Sequence, residues 1–80
     1  MHEWGITESA IKEIIRQAKE NGLKSIEKIS LSIGEETDIQ PDSFEFCFNL
    51  LSEDTIAKGA KLEIQKITGA GITIDSLEGE

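Results

Sequence analysis

Met1, His2 and Glu3 form the one grouping in this chain whose atoms can do chemistry together. A free Met1 amine, the deprotonated amide of His2 and the His2 imidazole are three nitrogens that close fused chelate rings around one ion. The Glu3 amide or a side chain would complete a plane. Square-planar nitrogen coordination favours Ni(II) or Cu(II), whereas zinc prefers a tetrahedron. Each nitrogen must lose or lack its proton to bind. Affinity is therefore expected to fall as pH drops below the amine and imidazole values of about 8 and 6.5. Any chain that opens Met-His offers this chelate, and a frayed, unliganded end is the competing reading.

The remaining inventory excludes more than it offers. His2 is the only histidine, so a Ser-His-Asp or Cys-His set would have to be built on a chain end, and no enzyme is expected. Cys47 is the only cysteine; it falls on an apolar helical stripe and reads as a small buried hydrophobe. There is accordingly no intramolecular disulfide and no C-x-x-C pair to hold zinc. Glu35-Glu36 and Glu53-Asp54 are sequence neighbours that need not converge on one reacting atom, and Gly69-Ala70-Gly71 lacks the strand-loop-helix context of a phosphate cradle.

The elements that would position these residues follow from hydrophobic period. Ile6, Ala10, Ile11, Ile14, Ile15 and Ala18 recur at helical spacing and predict a helix from Gly5 to Asn21, with Gly5 as cap and Trp4 stapled from outside. Lys28 to Ile33 alternates polar and apolar and predicts a strand with one wet face. Gln40-Pro41-Asp42 opens a second helix whose core stripe is Phe44, Cys47, Phe48 and Leu51. Leu62 to Gln65 and Ile72 to Asp75 alternate again around Thr68 to Gly71 and read as a hairpin. The expected fold is a two-layer α+β domain of order α-β-α-β-β, its two helices packed on one face of a three-stranded sheet that ends in that hairpin.

Eighty residues make one domain, 1–80, in which the modest burial open to so short a chain limits stability. Sixteen acidic against eight basic residues give a net charge of -8, which repels phosphate backbones, so neither nucleic acid nor an anionic membrane is expected as a partner. With no basic-then-apolar leader and no apolar run of about 20 residues, the cytoplasm is the expected location.

Taken in order, Met1-His2-Glu3-Trp4 before an amphipathic helix, the strand ending Ile33-Gly34-Glu35, Pro41 with Phe44, Phe46, Phe48 and Leu51, and Gly59-Ala60-Lys61-Leu62-Glu63-Ile64 resemble the hydrogenase nickel-incorporation proteins of the HypA/HybF type. The likeness is colinear through about residue 67. It implies a metallochaperone in which Met1, His2 and Glu3 hold Ni(2+); by the divalent affinity order Cu(2+) is expected to bind there in vitro as well. It further implies delivery to nickel-iron hydrogenase, acting with a maturation GTPase and the hydrogenase large subunit. Family members insert a zinc domain with two C-x-x-C pairs after the second strand. Here that domain is missing, no zinc is expected, and Gly71 to Glu78 looks like the family's returning last strand, with 68–71 bridging the excision. Gln40 stands where family members often carry an acidic residue near the nickel, and Gly5 replaces a commoner serine cap. The alternative is a protein-interaction or regulatory module that keeps the fold without using metal.

Overall fold

Apolar residues at helical spacing wind into α1, Glu3–Glu20, which buries Ile11, Ile14 and Ala18 and leaves Glu8, Lys12, Arg16 and Lys19 in water. The structure is a computed structural model that describes residues 3–80, the Glu3 side chain excepted. The helix begins two residues earlier than the glycine implied. Gly5 is therefore an interior residue of the first turn and not its cap, and Trp4 belongs to the helix, half exposed. The leading N–H groups of a helix have no carbonyl partner inside it, so a glycine there disturbs no hydrogen-bond ladder. At the other end Gly22 takes φ 76°, the Gly22 amide donates to Lys19 O at 3.0 Å, and the Leu23 amide donates to Ala18 O at 2.9 Å. These two bonds form a Schellman motif, for which the left-handed residue is most cheaply glycine.

β1, Ile26–Gly34, runs through the centre of a three-stranded sheet of order β2-β1-β3. β2, Lys61–Ile67, lies parallel to it and β3, Ile72–Gly79, antiparallel. The fold class matches expectation. The hairpin does not: β2 and β3 occupy opposite edges with β1 between them, so Thr68 to Gly71 crosses over the end of β1. Short glycine-rich connections favour hairpins only when the strands they join can pair directly. Here the parallel crossover through the second helix has already placed β2 on one side, and β3 takes the free edge.

The crossing is tight. Gly34 N donates to Gly71 O and Glu36 N to Gly69 O, both at 2.8 Å. A Cβ on Gly34 would stand 2.4 Å from Gly69 O and 2.6 Å from Ala70 Cα, both backbone atoms that cannot swing aside. Gly34→Ala is expected to destabilise the domain by about 1–3 kcal/mol in urea unfolding. Gly5→Ala, which meets nothing within 4 Å in a helix, is expected to be neutral or stabilising by up to ~1 kcal/mol.

α2, Pro41–Leu51, follows a short 3-10 turn at Glu35–Thr37. Pro41 sits in its first turn as expected, and the Gln40 carbonyl accepts from Phe44 N at 3.0 Å. Phe44 and Phe48 are fully buried with ring centroids 6.4 Å apart, whereas Cys47 and Leu51 lie only partly buried at the edges of the stripe. The core joins these rings to Ile11, Ile14, Ile29, Leu31 and Ile33, so both helices cover one face of the sheet. β3 keeps its inward side apolar through a bulge. Ser30 pairs with Ser76 and Leu31 with Ile74, which leaves Asp75 as the extra residue and turns Leu77, not Ser76, toward the core beside Ile29. Among the described residues no helix is long and apolar enough to cross a membrane.

Candidate functional site

Met1 and His2 lie outside the described residues, as does the Glu3 side chain, so the structure starts where the candidate chelate ends. What it does give is the setting. Glu3 is the first residue of α1, and its amide is one of the leading N–H groups that no helical carbonyl engages. Trp4, the only tryptophan, is half exposed beside it.

Along the next two turns Gly5, Ile6 and Ala10 face Ile72 and Ile74 of β3 across an open, mainly apolar groove of ≈ 790 Å³. Small side chains at positions 5 and 10 keep the helix wall low, and Thr37 closes one end, its Oγ1 accepting from Gly71 N at 2.6 Å. Glu13 lines the same groove. The Arg16 guanidinium, and then the Gln17 amide at 2.9 Å, hold its carboxyl down to about 2, while Glu13 and Glu20 raise Arg16 still further. A carboxylate held that low is a weak proton acceptor near neutral pH. Thr7 is fully buried in the same stretch, and its Oγ1 has no partner among the described residues.

The other residues singled out from sequence are dispersed. Gln40 is exposed at the start of α2 and Cys47 is half-buried on it. Among the described residues no three His, Cys, Asp or Glu side chains gather as a metal site. The wet face of the sheet holds a network that sequence reading missed: Ser32 Oγ donates to Asp75 Oδ2 at 2.6 Å and accepts from Gln65 Nε2 at 2.9 Å, with Lys28 paired to Glu63 at 3.3 Å nearby. These bonds allow Ser32 to be 97 % buried on a face expected to be open. The groove was missed too, because its two walls are some sixty residues apart in the chain and only β3's place at the sheet edge brings them together.

Comparison with known proteins bears on this arrangement. The family described as "Hydrogenase/urease nickel incorporation, metallochaperone, hypA" matches residues 1–73. The hydrogenase maturation factor HypA of Dehalococcoides mccartyi strain 195 is 46% identical over 67 residues, which is 84% of this chain and 56% of that protein. HypA of Archaeoglobus fulgidus is 41% identical over 64 residues, 80% of this chain and 58% of its own length. This chain thus spans a little over half the length of the curated relatives it matches. The solution structure of the nickel metallochaperone HypA from Helicobacter pylori shares the fold, with a TM-score of 0.76 at 24% identity over 95% of this chain and 72% of that one.

Proposed function

Since this chain belongs to the HypA family of hydrogenase and urease nickel-incorporation metallochaperones, a family of maturation factors and not of catalysts, we propose that it binds Ni(II) as cargo at Met1, His2 and Glu3. The observation that carries this reading is the position of α1. Because the helix starts at Glu3, the Glu3 amide can lose its proton to a metal without breaking a helical hydrogen bond. With the amides of His2 and Glu3 both deprotonated and the amine and imidazole neutral, the charge of a divalent ion is cancelled, and the positive end of the helix dipole opposes it little. The lack of any other gathered ligand set among the described residues further supports the terminus. Cu(II) binds the same nitrogens at least as well by the divalent affinity order.

The domain reading is part of the proposal. Residues 1–80 act as the nickel-binding unit of the family without its zinc domain, and Thr68 to Gly71 replaces that insertion. The single cysteine supports this, as does the solved HypA fold: it covers 95% of this chain, so most of β3 has a counterpart there. The partners are a maturation GTPase and the hydrogenase large subunit, and the setting is the cytoplasm.

Trp4 makes the test direct. Titrating protein with a free Met1 amine with Ni(II) is expected to develop the d-d band of square-planar nickel, and the same titration with Cu(II) to quench Trp4 fluorescence at one equivalent. Affinity should fall about a hundredfold or more per pH unit as pH drops, because at least the two amide protons must leave. An octahedral spectrum, or a pH-independent affinity, would sink the chelate.

A further inference from the structure

The charge of this protein is concentrated in one place. Between Lys28 and Lys58 the chain carries seven carboxylates and no lysine or arginine, while everywhere else nine acids meet eight bases. Nearly all of the net charge of -8 therefore falls on the end of β1, α2 and the turns on either side. The ion pairs among the described residues, Arg16 with Glu13 and Glu20 and Lys28 with Glu63 and Glu78, involve none of these seven.

Within this field α2 shows two large apolar side chains to water. Phe46 is 66% exposed and Leu50 51%, although the helix has already supplied Phe44 and Phe48 to the core from its other side. Residues four apart stand side by side on a helix, so Phe46 and Leu50 form one ridge. Asp42, one turn before Phe46, and Glu53, three residues after Leu50, bracket that ridge, with Glu45 beside it; all three are exposed.

An apolar ridge framed by charge of one sign is the pattern of an interface with an apolar centre and a steered, charge-selective rim. It also selects the occupant. A second copy docked face to face would set Asp42, Glu45 and Glu53 against their own duplicates, and like-charge juxtaposition is costly. We propose that the outward face of α2, centred on Phe46 and Leu50, docks a basic amphipathic helix of a partner protein. The partner's apolar residues cover the ridge, and its lysines or arginines meet Asp42, Glu45 and Glu53. This docking uses none of Met1, His2 or Glu3 and stands or falls independently of the metal chelate.

The test uses the whole metal-free chain, labelled with 15N, and two synthetic 18-residue peptides that share an apolar helical stripe of leucines, one with lysine and one with glutamate on the polar face. The lysine peptide is expected to shift amide resonances of α2 and the turn after it, leaving the groove between α1 and β3 unmoved. Phe46→Ala with Leu50→Ala should weaken it about tenfold or more, and Glu45→Gln with Glu53→Gln should flatten the salt dependence. All four residues are solvent-exposed, so urea midpoints of the variants should match the parent, and nickel titration should be unchanged. The proposal is overturned if the lysine peptide fails to bind, if both peptides bind equally, if shifts centre elsewhere, or if the Phe46/Leu50 variant binds as the parent does. Sedimentation showing a dimer that Phe46→Ala dissociates would overturn it as well, since the occupant would then be a second copy.

Discussion

His2→Ala is expected to abolish the square-planar nickel spectrum and to lower Ni(II) affinity by more than the roughly 10- to 100-fold that loss of an outer-shell partner costs. The imidazole is one of three nitrogens in fused rings, and without it the remaining amine and amides no longer hold the ion from both sides. Acetylating the Met1 amine should do similar damage while leaving every side chain in place, because it turns the neutral amine donor into an amide and removes one end of the fused rings. A control at Glu3 separates backbone from side chain: Glu3→Gln keeps the amide, so the d-d band should persist. If neither His2→Ala nor acetylation weakens binding, the terminal chelate is wrong. The acid dependence of binding should also differ from that of folding. The Glu13 carboxyl, held to about 2 by Arg16, gives its stabilisation above the ordinary carboxylate range and loses it only as pH falls from there toward 2. Nickel should be released at far higher pH, while the domain is still folded.

Phe48→Ala is expected to cost about 3–5 kcal/mol, by emptying a site in which the ring has no exposed surface and stacks on Phe44 at 6.4 Å. For a chain of 80 residues total stability is roughly 4–12 kcal/mol at about 0.05–0.15 kcal/mol per residue, so this single truncation consumes a quarter or more of it. Urea unfolding followed by far-UV circular dichroism would read the loss as a lower midpoint with similar slope. Nickel binding offers a second readout. Three consecutive residues make the proposed chelate, so Phe48→Ala should change Ni(II) affinity far less than His2→Ala does, even where the domain is largely unfolded. A parallel collapse of both would mean that the ligands include side chains brought in by the fold.

Much of the fold was legible because each element carries its own period. Ile11, Ile14 and Ala18 mark α1, and Ile29, Leu31 and Ile33 mark β1, since the spacing of apolar residues is set by local geometry and each stripe has one place to go. Boundaries were less so. Gly5 reads as a cap in the sequence, yet sits inside α1, because a glycine in the first turn breaks no helical bond. Cys47 sits on the stripe by periodicity but at its edge in space, since Phe44 and Phe48 fill the centre.

By itself the sequence determined the order of elements, the inward faces and the family, and it supplied the proposed donor atoms at Met1, His2 and Glu3, all of which depend on residues close together in the chain. The tertiary structure alone decided that β1 separates β2 from β3, that Asp75 bulges to return Leu77 to the core, and that Thr68 to Gly71 crosses against Gly34. It also decided that α2 turns Phe46 and Leu50 outward amid exposed carboxylates. The physical reason is common to all four. Each depends on which edge or face was still free after other elements had packed, and that competition between distant segments leaves no periodic trace in the chain.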